Sequence, residues 1–259
     1  MRYFAIFILL NLFGCSSDDN PVINKCQIQN THYTFLELFE EDYASIFKDP
    51  TSSGLIEFSY DFDKIIIARG GLANIHPSSG FRFLFVDSVY DSISHKSNSI
   101  EIYKKSPDQL FNNDIKFELN NNLLPFKKIT SYNSYTFNYS GDQLVGSVDI
   151  NGVESSYSYE NGNLIKIESL KALPDGTVYE RIIHSFEEYD IKPNPFKGLF
   201  YLRGAFYRSL SKNNYKTHHF IREKSLGNNE WEPIESYNIS LDFEYDENDF
   251  PKFGEYSCN

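Results

Sequence analysis

The chain has 259 residues, 17% of them aromatic, and a formal net charge of −12. That aromatic load, chiefly 23 Phe and 19 Tyr against a single Met, excludes a disordered chain and favours β structure, because burying so many rings offsets the entropy of ordering the backbone and rings suit pleated surfaces. So acidic a surface repels phosphate backbones, which excludes nucleic acid as a partner.

In chain order, Arg2 is followed by an apolar run from Tyr3 to Phe13, broken only by Asn11 and ending in Leu12-Phe13-Gly14-Cys15. A positive start, a short apolar stretch and a small residue before the cysteine predict an export signal. The run is far short of the roughly 20 residues that a membrane-crossing helix needs. Leu-x-Gly-Cys resembles the lipobox of bacterial lipoproteins, although Phe13 stands where that family usually has a smaller residue. The resemblance implies that residues 1–14 are a signal peptide and that the Cys15 thiol is acylated. The alternative is a plain secretory leader with an incidental Cys15. Ser16, Ser17, Asp18 and Asp19 resemble the acidic export tag that Bacteroidota place after the acylated cysteine, which implies an outer-membrane protein at the cell surface. Several acyl chains anchor stably where one binds reversibly, so the membrane is an expected partner.

Residues 15–30 read as lipidated cysteine and tether, and 31–259 as a single β-rich domain, since no Pro- or Ser-rich linker divides it. Removing the leader deletes Arg2, its only charge, and takes the net charge from −12 to −13. Acylation of Cys15 leaves Cys26 and Cys258, which an oxidising envelope makes candidates for a disulfide. Two free thiols are the alternative.

Thr34 to Lys48 carries Phe35, Leu38, Phe39, Ile46 and Phe47 at helical spacing, with Thr34 and Glu37 able to form a capping box. It predicts a helix, with an aromatic-rich strand pair as the alternative. Four segments then share one pattern: Phe58-x-Tyr60, Phe137-x-Tyr139, Tyr157-x-Tyr159 and Phe243-x-Tyr245 are each followed, five residues on, by Ile65, Leu144, Leu164 or Phe250. Period two puts both aromatics on one face of a strand. Asn161-Gly162 suits a two-residue type I′ turn, which places Tyr159 opposite Leu164 and Ser158 opposite Ile165. Gly141-Asp142 fits a similar turn, and Asp246 to Asp249 a longer acidic one. Pro195 to Leu210 predicts a second helix, with Asn194 as N-cap and Phe196, Leu199, Phe200, Phe206, Tyr207 and Leu210 on one side.

The aromatic-x-Tyr, polar turn, Leu-Ile pattern is similar to the tyrosine-aspartate repeats of Rhs-type proteins. It is closer to Bacteroidota envelope lipoproteins with degenerate copies of them, which also carry segments like Lys192 to Leu199 and Tyr245 to Pro251. Asp249 stands where the repeat usually has glycine. The resemblance implies architecture and assigns no activity. The expected fold is mainly β, a twisted antiparallel sheet of hairpin repeats with one or two packed helices.

No nucleophile elbow or phosphate loop occurs, no catalytic residue is singled out, and nothing calls for a cofactor. His218 and His219 would point to opposite faces of a strand, and no other histidine has a partner at ligand spacing, so no metal site is expected. The paired acids Asp61 and Asp63, Glu187 and Glu188, and Asp246, Glu247 and Asp249 read as solvated turns, with glycosidase chemistry as the alternative if two face across a cleft. Tyr157, Tyr159 and Trp231 are candidates for stacking on a ligand, with core packing as the alternative. The leading expectation is a non-enzymatic binding module whose partner is a glycan or an envelope protein. The runners-up are a carbohydrate-active enzyme and a structural envelope component.

Overall fold

Alternating apolar and polar residues joined by tight polar turns build a meander. The computed structural model describes residues 26–33, 54–74, 83–106 and 114–258. Its strands are β1 (Cys26–Ile28), β2 (Asn30–His32), β3 (Leu55–Asp61), β4 (Lys64–Asn74), β5 (Phe83–His95), β6 (Ser99–Lys105), β7 (Ile115–Leu119) and β8 (Pro125–Thr130). They continue as β9 (Ser134–Ser140), β10 (Gln143–Asp149), β11 (Glu154–Glu160), β12 (Asn163–Ala172), β13 (Val178–Glu187), β14 (Thr217–Gly227), β15 (Glu230–Ser240) and β16 (Tyr256–Cys258). From β2 to β15 each strand pairs antiparallel with its sequence neighbours in one 14-stranded sheet, while β1 pairs with β16. The fold is mainly β, as expected. Within the stretch that the sequence assigns to the tether, Cys26–Ile28 and Asn30 lie in strands β1 and β2.

Three of the four aromatic repeats form the same hairpin. Tyr60 faces Ile65, Tyr139 faces Leu144 and Tyr159 faces Leu164, and each pair is followed by a bulge. The bulge corrects the expected pairing of Ser158 with Ile165: Ser158 faces Lys166, and Ile165 is the extra residue. Asn161 and Gly162 both have positive φ, 52° and 82°, as a type I′ turn requires. The first aromatics Phe58, Phe137 and Tyr157 are buried in the core. The hydroxyls of Tyr60 and Tyr139 donate to the carbonyls of Ile28 and Pro125, both at 2.8 Å. The fourth copy lies outside the sheet, with only an isolated bridge between Tyr245 and Pro251.

The first expected helix, from Thr34, lies outside the described residues. The second is corrected: between β13 and β14 only Phe206–Ser209 is helical (α1). Gly198 and Gly204 adopt φ of 80° and 72°, left-handed geometry that an α-helix cannot contain. The segment is instead a chain of turns, such as Leu199 N–H to Phe196 O and Leu202 N–H to Leu199 O. Asn194 still caps the start by accepting from Phe196 N–H, and it also donates to the carbonyls of Arg208 and Ser211.

This insert fills the inner face of the sheet. Arg203 forms a bidentate pair with Asp91 of β5, Phe206 stacks on Phe137 of β9, and Tyr207 packs on His184 and Phe186 of β13. Eight strand spacings of about 4.8 Å would separate β5 from β13 by roughly 38 Å in a flat sheet. The four residues from Arg203 to Tyr207 reach only about 14 Å. The sheet therefore curls around the insert. Its β2 edge is covered by the C-terminal segment, where Gln29 N–H donates to Glu255 O and His32 N–H to Phe253 O.

Candidate functional site

Cys15, Ser16, Ser17, Asp18 and Asp19 lie outside the described residues. Cys26 is disulfide-bonded, and Cys258 stands opposite it in the register of β1 and β16. Next to it, Gln27 Nε2 donates to Phe62 O at 2.7 Å, which places β1 beside the β3–β4 turn.

Of the three candidates for stacking on a ligand, Tyr157 and Tyr159 take the alternative reading and pack in the core. Tyr157 is 8% exposed, its hydroxyl 3.2 Å from Ser147 Oγ, and Tyr159 packs partly buried against the same core. Period two aims both rings at the inner face, and the curled sheet closes over them. Trp231 differs, since it sits on the outer face near the start of β15, the strand at the far edge of the sheet. The Arg181 guanidinium lies over its ring at 4.4 Å, and the Glu223 carboxylate holds Arg181. Tyr179, exposed, is two residues from Arg181 on the same face of β13. Trp231, Arg181, Glu223 and Tyr179 together form a half-open aromatic surface carrying a guanidinium and a carboxylate, suited to stacking and hydrogen-bonding a polar ring or a peptide. Its arginine and glutamate escape sequence reasoning, because only the pairing of β13, β14 and β15 assembles them.

The structure also joins two histidines that spacing left apart. His184 Nδ1 lies 3.0 Å from His218 Nε2, and the rings stack among Phe186, Tyr207 and Phe220. Burial pushes His184 down to about 4. Burial, then the neighbouring His184, holds His218 well below its ordinary value. His219 points the other way, 3.5 Å from Glu187. Among the described residues no group of three His, Cys, Asp or Glu is arranged to hold a metal.

The paired acids are distributed through turns. Asp246 Oδ1 accepts from Asn248 and Phe250 N–H within its own turn, and Glu188 accepts from Thr217 Oγ1 at 2.6 Å. An open recess is lined by Glu188, Tyr189, Asp190, Lys216, Ser240, Leu241 and Asp242. Its Asp190 is already engaged by Lys192 N–H, by Asn214 and by the Tyr245 hydroxyl.

No protein-family model matches the chain, and no curated protein matches it. Among solved structures, the chain is similar to a porin-like protein from Bacteroides vulgatus, with 12% identity over 78% of this chain and 86% of that one and a TM-score of 0.46. It is also similar to a porin-like protein from Bacteroides uniformis, with 10% identity, coverage of 79% and 90%, and a TM-score of 0.40. At that distance neither structure bears on what this chain binds.

Proposed function

We propose that the chain is an outer-membrane lipoprotein, anchored by acyl chains on Cys15, whose β domain stands in water at the cell surface as a binding module. The observation that carries this reading is the chemistry of the sheet's outer face. A barrel that crosses a bilayer turns an apolar band about 25 Å tall toward lipid. Here the outward side chains form ion pairs: Lys116 with Glu118 at 3.0 Å, Lys166 with Glu168 at 2.6 Å, and Arg181 with Glu223. Such a sheet belongs in water, so attachment falls to the residues before Cys26, where Leu12-Phe13-Gly14-Cys15 supplies an acylation motif.

The partner is a glycan or an envelope protein, taken on the surface around Trp231. Alkyne-palmitate labelling tests the anchor: wild type incorporates label and Cys15→Ser does not. Protease added to intact cells digests the domain; survival until the outer membrane is ruptured sinks surface exposure. Because Trp231 is the single tryptophan, partner binding shifts intrinsic fluorescence, and Trp231→Ala abolishes that binding.

A further inference from the structure

Among the described residues, seven other than glycine adopt positive φ. Asn161, Asn228, Asn229 and Asp249 are of the types that tolerate this geometry, and Glu188 is held in it by the hydrogen bond from Thr217 Oγ1. Phe62, at φ 55°, and Leu123, at φ 60°, are large apolar side chains where a turn ordinarily carries glycine or asparagine. Neither is there to pack: Phe62 is 91% exposed and Leu123 63%. A third apolar side chain, Ile191 at the start of the insert, is 90% exposed.

All three stand on one rim. In an antiparallel meander alternate turns fall at the same end, so the β3–β4 turn with Phe62, the β7–β8 turn with Leu123 and the insert with Ile191 share it. Strand β1, the first of the described strands, lies there too, since Gln27 Nε2 donates to Phe62 O. Eleven residue steps separate Cys15 from Cys26, a reach of at most about 38 Å. The rim is therefore held within a domain's length of whatever holds Cys15.

We infer that this rim rests on the bilayer that holds the anchor, with Phe62, Leu123 and Ile191 seated at headgroup level. The inference rests on the reading of Cys15 as acylated. Aromatic and aliphatic side chains at that depth bury apolar surface while the turns stay solvated. Nearby charges are of both signs, Asp61, Asp63 and Lys64 beside Phe62 and Lys192 beside Ile191. The contact is thus apolar in character and insensitive to salt. The opposite rim also exposes apolar side chains, Tyr132, Ile150, Leu173 and Leu226, but none at positive φ and none beside the β3–β4 turn that Gln27 of β1 contacts. The two rims make a test of orientation.

The experiment reconstitutes the full mature protein in phosphatidylethanolamine vesicles containing brominated phosphatidylcholine, which quenches only indoles that reach the lipid. The double variant Phe62→Trp with Trp231→Phe puts the sole indole on the proposed rim, and wild-type Trp231 reports on the distal end of β15. The expected result is quenching of the Phe62→Trp indole by roughly twofold, unchanged in high salt and reduced by Leu123→Gly with Ile191→Ser, while wild-type Trp231 stays bright. Quenching no greater than that of wild-type Trp231, or equal loss at both positions, overturns the inference. Intact mass of the same sample reads the acyl chains separately. Quenching without acyl chains keeps the docking and sinks the Cys15 reading; acylated protein without quenching does the reverse.

Discussion

At the scale of single residues, the buried His184–His218 pair sets how the protein responds to acid. Both imidazoles are held below their ordinary value by burial, so the folded state keeps them neutral. As pH falls below about 6.5 the unfolded chain takes up protons that the folded chain refuses, and stability drops by about 1.4 kcal/mol per pH unit for each histidine. His184 alone, with its folded value about 4, costs roughly 3 kcal/mol by that pH. Carboxylates titrate lower, so the interval from pH 6.5 to 5 reports the histidines. Urea midpoints measured across it should fall steadily in wild type and less steeply in His184→Phe. A flat wild-type profile refutes the assignment. Nothing in the spacing of His184 and His218 announces the pair, because β13 and β14 meet across an insert whose path periodicity does not encode.

At the scale of elements, the insert shows where local signals stop. Asn194-Pro195 and the apolar spacing after it are sound helix-start chemistry, and the cap does form. Propagation then fails at Gly198 and Gly204, whose left-handed geometry is set by the inner face of the sheet that the insert must follow. Asn194 supports the first turn and the end of the segment together through three hydrogen bonds in a buried site. Asn194→Ala should therefore lower unfolding free energy by roughly 2 kcal/mol, since it takes the donor from the Ser211 carbonyl and leaves the Arg208 carbonyl with only its backbone donor from Ser211 N–H. Chemical denaturation measures it, and a loss under about 1 kcal/mol would mean that the segment closes without its cap. The hairpins are the contrary case: Asn161-Gly162 and the aromatic pairs set turn, face and register locally. Only the bulge after each pair escapes, because it depends on how the curled sheet relieves its twist.

At the scale of the whole molecule, closure is made by the C-terminal segment. A Cβ added at Gly254 would lie 1.8 Å from the Asn30 carbonyl oxygen, so the segment can lie on the β2 edge only because that residue has no side chain. Gly254→Ala should lift residues 253–255 from β2 and lower thermal stability, with hydrogen exchange rising first at Gln29 and His32; unchanged exchange there contradicts this account. A Cys26–Cys258 bond would close nearly the whole chain, and loop entropy places its contribution at up to about 5 kcal/mol. Cys26→Ser should approach that loss, and non-reducing peptide mapping identifies the linked pair.

What the sequence determined by itself is local: the mainly β character, the aromatic face of three of the four repeats, and the two-residue turns. These follow from side-chain periodicity and from the backbone preferences of a few turn residues, and they need no distant partner. The curl of the sheet, the unwinding of the expected second helix, the burial of Tyr157 and Tyr159, the meeting of His184 with His218, and the gathering of Phe62, Leu123 and Ile191 on one rim were decided by tertiary structure. Each joins residues from separate hairpins, and only the packing of one inner face against one insert brings such residues together.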